Sequence, residues 1–187
     1  RDRGRRLATP RGLRTRPTPS LVREALFDIV GPAVAGMRIL DLFAGSGAVG
    51  IEALSRGAAR AVFVERDRDA LRVLRTNLAT LGAGRAQARV VAGDAVSVLA
   101  SLSGEEGAFD LVFVDPPYEG TLATRVLAAL PGSGLLGAGA RVVVQHFGKA
   151  PVAPPPGLSA ARTPRRFGET TLTFLKPDAY TPPGSEA

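Results

Sequence analysis

Asp41-Leu42-Phe43-Ala44-Gly45-Ser46-Gly47-Ala48-Val49-Gly50 decides the fold. An apolar run over 37–43 leads into three glycines spaced Gly45-x-Gly47-x-x-Gly50, and a helical pattern follows over 47–56. Glycines at this spacing allow a tight strand-to-helix turn and a close approach of backbone to a nucleotide. Glu65 ends the next apolar run, 61–65, 20 residues after Gly45. An acid that binds ribose hydroxyls belongs there. No Lys-Ser/Thr pair follows the glycines, so a phosphate-cradling P-loop is excluded.

Outward from this loop, apolar runs and helical patterns alternate. Strands are expected at 37–43, 61–65, 88–92, 109–114 and 140–146, and helices at 47–56, 68–81, 94–102 and 121–130. Near-continuous apolar strands separated by helices imply a parallel sheet covered on both faces. Ahead of them, Thr18-Pro19 reads as a cap and first turn. Leu21, Val22, Ala25, Leu26, Ile29 and Val30 then follow at helical spacing until Gly31-Pro32. Residues 150–158 are Pro-rich and read as a loop. Residues 161–167 and 170–175 read as a hairpin across Gly168. The expected organisation is a basic arm and helix over 1–35, a cofactor-binding catalytic domain over 36–177 and a tail over 178–187.

Three acids narrow the cofactor. Asp41 stands before the first glycine, Glu65 ends the second strand, and Asp94 follows the third in Val90-Val91-Ala92-Gly93-Asp94. A pyrophosphate would be repelled by them, whereas the ammonium and sulfonium of S-adenosylmethionine (AdoMet) would be held. Asp94 also reads as a helix cap. AdoMet is therefore expected over NAD.

Leu111-Val112-Phe113-Val114-Asp115-Pro116-Pro117-Tyr118 carries the chemistry. A buried strand ends in an acid, two prolines and an aromatic. Prolines withhold their N–H donors, so the turn offers acceptors: the Asp115 carboxylate and the Pro116 carbonyl. Tyr118 offers a face on which a flipped base can stack. Such a site suits an amino group on a nucleobase, whose two hydrogens the acceptors can hold while its lone pair meets an electrophilic methyl.

Composition bounds the rest. The 187 residues contain no Cys and one His, His146, which excludes disulfides, thiolate chemistry and a His-rich metal site. No metal is expected, and His146 reads as a surface residue rather than a base. There is no apolar run long enough to span a membrane, and Arg1-Asp2-Arg3-Gly4-Arg5-Arg6 is no secretory signal. A soluble, cytoplasmic monomer is expected. The formal charge is +7, and residues 1–23, with eight arginines against Asp2, account for all of it by subtraction. A basic arm on a body of zero net charge fits a nucleic-acid partner.

Asp41-x-Phe43-x-Gly45-Ser46-Gly47 together with Asp115-Pro116-Pro117-Tyr118 resembles the class I AdoMet-dependent amino-methyltransferases. Arg3-Gly4-Arg5-Arg6-Leu7, Thr15-Arg16-Pro17-Thr18, Val22-Arg23-Glu24-Ala25-Leu26-Phe27 and Glu52-Ala53-Leu54-Ser55-Arg56-Gly57-Ala58 look like the RsmD-type 16S ribosomal RNA guanine-N2 methyltransferases. The similarity runs from about residue 3 to 130, and Gly168-Glu169-Thr170 suits the family's end. Members usually begin with a short apolar strand before the Arg-Gly-Arg stretch, and this chain starts inside that stretch.

The resemblance implies a Rossmann-like α/β fold. Its mostly parallel sheet has seven strands, helices on both faces and a C-terminal antiparallel hairpin. It implies methyl transfer to the exocyclic N2 of a guanine in 16S rRNA, naked or in a 30S particle. The expected catalytic residues are Asp115, Pro116, Pro117 and Tyr118. Asp41, Phe43, Gly45, Ser46, Gly47, Glu65, Arg66, Asp94 and Ala95 are expected at the cofactor. Thr18 joins them from the segment that closes over it, and Arg5, Arg14, Arg16 and Arg23 are expected on RNA. Two rivals share these motifs. One is a DNA or RNA adenine-N6 methyltransferase, and the other is a catalytically silent RNA-binding or ribosome-assembly module.

Overall fold

A computed structural model describes residues 20–117, 121–148 and 151–178. The elements, in order, are α1 (Ser20–Val30), a 3-10 turn (Gly31–Val34), β1 (Arg38–Asp41), α2 (Ala48–Ser55), β2 (Arg60–Glu65) and α3 (Arg68–Leu81). Then come β3 (Ala88–Ala92), α4 (Ala95–Glu105), β4 (Phe109–Val114), α5 (Leu122–Ala129), β5 (Leu136–Phe147), β6 (Leu158–Phe167) and β7 (Thr170–Pro177). They form one sheet in the order β3-β2-β1-β4-β5-β7-β6. β1 to β5 pair in parallel, and β7 runs antiparallel to both β5 and β6. This is the expected Rossmann-like class I methyltransferase fold with its terminal hairpin.

Strand residues alternate between two cores. Ile39, Phe63, Leu111, Phe113, Val143 and Leu172 face one side, under α1, α2 and α3. Leu40, Val62, Val64, Val112, Val114 and Val142 face the other, under α4 and α5. Both faces are buried, which is why these strands read as continuous apolar runs.

Three boundaries move by more than two residues from the sequence expectation, and one helix buries fewer of its apolar residues. In α1 the buried stripe is Val22, Leu26, Phe27 and Val30, while Leu21 at the exposed start is 61% accessible. α4 runs on to Glu105 rather than stopping at 102, since its end is tied to the sheet through the next residue, Glu106, which meets Arg38, Arg60 and Arg89. β5 begins at Leu136, four residues early, and its register against β4 shifts between Phe109 and Leu111. β6 begins at Leu158, so the end of the expected loop is a strand that pairs with Pro177 and Lys176.

The sheet order reverses between β1 and β4. Their carboxyl ends therefore open a crevice between helices that lie on opposite faces, the place where open α/β sheets bind ligands. The Gly45 loop leaves β1 there, and the Asp115 turn leaves β4.

Candidate active site at the switch point

Each glycine of the loop has its own cause. Gly45 takes φ +53° and has nothing within 4 Å of where a Cβ would stand, so the loop leaves open space at its crest. Gly47 takes φ +83° and caps α2, and a Cβ there would meet Leu74 of α3 at 2.3 Å. A Cβ on Gly50 would meet the Phe63 ring at 2.3 Å, so this glycine lets α2 lie on β2. Asn77, buried on α3, donates from Nδ2 to the Ser46 carbonyl at 3.0 Å and ties the loop down from outside. Sequence reasoning missed Asn77, although a polar residue on the apolar stripe of α3 was the available signal.

Glu65 does more than expected. Its Oε2 accepts from the Gly45 N–H at 2.7 Å, and its Oε1 accepts from the N–H groups of Arg66 and Asp67, each at 2.8 Å. The carboxylate therefore fixes the glycine loop against the end of β2. Arg66 meets it through its backbone and is exposed, and Phe43 is half-buried beside the loop.

Asp41 is 2% exposed, and its Oδ1 has no hydrogen-bond partner among the described residues. Burial pushes its carboxyl up to about 7, against the opposing pull of hydrogen bonds from the backbone of Gly50 and Phe43. Asp94 caps α4: its Oδ1 accepts from the N–H groups of Val96 and Ser97 at 3.1 and 3.3 Å. Ala95, the first residue of α4, is buried.

Asp115 lies just past β4 and is half-buried, with Pro116 buried and Pro117 exposed behind it. Gln145 of β5, 2% exposed, donates from Nε2 to Asp115 Oδ2 at 3.1 Å, and its Oε1 has no partner among the described residues. A carboxylate acceptor dictates which end of the amide faces it. Beside the turn opens a cleft of about 310 Å³ whose lining includes Pro116, Pro117, Thr124, Gln145 and His146. His146 is buried rather than at the surface, with Nε2 2.8 Å from Thr173 Oγ1 and Nδ1 3.0 Å from the Phe147 carbonyl. The Phe147 carbonyl can only accept, so Nδ1 carries the ring proton, and Nε2 accepts from the Thr173 hydroxyl.

One sheet edge thus gathers Asp41, the Gly45 loop, Glu65, Asp94 and Asp115. Of the other expected site residues, Arg23 lies half-buried on α1. Thr18, Arg5, Arg14, Arg16 and Tyr118 lie outside the described residues.

Over residues 1–176 the chain matches the family described as conserved hypothetical protein 95. Ribosomal RNA small subunit methyltransferase D of Escherichia coli strain K12 is 43% identical across 76% of this chain and 70% of that protein. The chain belongs to this methyltransferase D family. YlbH of Bacillus subtilis strain 168 is 39% identical across 77% of this chain and 78% of its own length. The solved structure of the Escherichia coli protein yhhF superposes with a TM-score of 0.82 at 38% identity, covering 95% of this chain and 94% of that one. In this chain the Gly45 loop leaves β1 and the Asp115 turn leaves β4, the two strands that flank the point where the sheet order reverses.

Proposed function

We propose that this chain transfers a methyl group from AdoMet to the exocyclic N2 amine of a guanine in 16S rRNA. The observation that carries the reading is the Asp115-Pro116-Pro117 turn, anchored by Gln145 and standing across the switch point from the Gly45 loop. Family membership supplies the rRNA substrate class, and the turn supplies the chemistry.

The residues present fit AdoMet. Asp41 offers a buried, unpartnered oxygen to a cation, Gly45 leaves room at the loop crest, and Glu65 stands where ribose hydroxyls would lie. Bound there, AdoMet supplies an electrophilic sulfonium methyl. The protein's own part is mainly to position. The Asp115 carboxylate and the Pro116 carbonyl each accept one hydrogen of the target amine, which turns the nitrogen lone pair toward the methyl. Holding nitrogen and carbon about 3–3.5 Å apart and in line supplies most of the acceleration. The cleft beside Pro117 receives the extruded base, and Tyr118 offers it a stacking face.

Incubation with labelled AdoMet and, separately, 16S rRNA, 30S particles and duplex DNA tests the reading. N2-methylguanosine in digests of 16S rRNA or of the particle is the expected product. N6-methyladenine from any arm, or label in none, overturns it.

A further inference from the structure

The whole-chain charge hides a second segregation. Residues 120–168 contain six cations (Arg125, Arg141, Lys149, Arg162, Arg165, Arg166) and not one Asp or Glu. Three of the six sit on β6, the outermost strand of the sheet, whose residues 160–166 are all exposed. Arg162 lays its guanidinium over the Phe174 ring at 5.3 Å, and Arg166 donates from Nε to the Gly168 carbonyl at 2.9 Å. Among the described residues, no carboxylate pairs with Arg162, Arg165 or Arg166.

The sheet's register places two of them on the row of the active site. Arg165 stands opposite Leu172, and Leu172 opposite Gln145, which holds Asp115. One position on, Arg166 stands opposite Thr171, and Thr171 opposite His146. Cross-strand neighbours share a face, so Arg165 lies on the face of Gln145 and Asp115, and Arg166 lies on the other. Three strand spacings separate Asp115 from Arg165, roughly 14 Å. The pair straddles the same carboxyl rim as the catalytic turn.

An edge strand commonly carries charge and proline to deter pairing with another sheet, and Pro164 serves that end. That role needs no particular sign of charge, and it does not explain why acids are missing over 49 consecutive residues. Arginine forks match phosphate oxygens.

We propose that β6 is a docking track for the RNA backbone, in which Arg165 and Arg166 hold phosphates a few nucleotides from the target base. This rests on the RNA methylation proposed above and uses arginines other than those of residues 1–23. A strand crossing the rim would be held there beside the nucleotide extruded toward Asp115.

The test is RNA affinity over a range of salt concentrations for the wild type and Arg165→Gln/Arg166→Gln, with 16S rRNA and single-stranded polyuridylate as probes. The slope of log K against log salt should fall by about 1.4–1.8 for two lost contacts, and Arg165→Lys/Arg166→Lys should restore it. AdoMet affinity should stay unchanged. If the double variant fails to fold, each single Gln variant should lower the slope by about 0.7–0.9. An unchanged slope overturns the track. So does unchanged RNA affinity with lost methylation of 30S particles, which would make β6 a protein contact. A wild type that binds RNA through these arginines but methylates none would refute the catalytic reading alone.

Discussion

Gln145 of β5 stands beside Asp115, the residue just past the end of β4, and the amide of the first donates to the carboxylate of the second across 3.1 Å. This bond fixes the carboxylate's rotation, so Gln145 acts as a positioning residue. Gln145→Leu should lower kcat by about tenfold, roughly the 1–1.5 kcal/mol of one hydrogen bond, with the KM for AdoMet unchanged. Gln145→Glu should behave differently. Two carboxylates at this separation share one proton, and the introduced carboxyl, while protonated, can still donate to Asp115. That variant should be active at low pH and lose activity as pH rises, a limb absent from the wild type and from Gln145→Leu. A flat pH profile for Gln145→Glu would leave Gln145 with a packing role only.

Asp115→Ala should lower the rate of transfer by about 10²–10³, the cost of one well-placed transition-state acceptor, ~3–4 kcal/mol. AdoMet affinity should stay within a few-fold, because the proposed role of Asp115 is to hold the amine and not the cofactor. Single-turnover kinetics beside calorimetric AdoMet binding would separate the two, and normal turnover would remove Asp115 from the chemistry.

Glu65→Ala should weaken AdoMet binding by roughly 10- to 100-fold, a lost charged hydrogen bond of ~1.5–3 kcal/mol. It should also loosen the loop, since the Gly45 N–H loses its acceptor. Hydrogen exchange at Gly45 in the unliganded protein should therefore quicken, an effect that a purely ribose-binding carboxylate would not produce.

Asp41 sets a pH dependence of definite sign. Its folded carboxyl titrates near 7, above the ordinary 3.8. The neutral form suits the buried site, so its contribution to stability is complete below about pH 4 and is lost as pH rises through 7. A bound cation calls for the carboxylate. AdoMet binding should therefore tighten between pH 6 and 8 and release a proton at pH 6. Calorimetry in two buffers of different ionisation enthalpy measures that proton, and Asp41→Asn should abolish the buffer difference.

The alternation of strands and helices and the covered parallel sheet were legible because apolar runs and helical patterns report burial directly. The two turns were legible because Gly45, Gly47, Pro116 and Pro117 are residues whose backbone chemistry restricts what a chain can do. What stayed hidden depends on contacts between distant positions. Nothing near Gln145 in sequence marks it as Asp115's partner; only the pairing of β4 with β5 does. Asn77 and Ser46 meet across 31 residues. The neutral balance of residues 24–187 likewise concealed the basic edge at β6, because acids elsewhere cancel it in any sum.

The carboxylate that follows α4 sets an order of events. Glu106 draws Arg60, Arg89 and Arg38 together from the amino ends of β2, β3 and β1, and its own acidity is strengthened to about pKa 2, chiefly by Arg60. Those partners precede it by 46, 17 and 68 residues. The cluster joins three strands across these separations, so it is expected to close late, on the downhill side of the folding barrier. Glu106→Gln should leave the refolding rate nearly intact and speed unfolding by roughly 30-fold, for about 2 kcal/mol lost with a charged hydrogen bond. Stopped-flow chevrons would read both limbs. The cluster lies at the end of the sheet opposite the crevice, so it would govern how long a folded molecule lasts while leaving each turnover untouched.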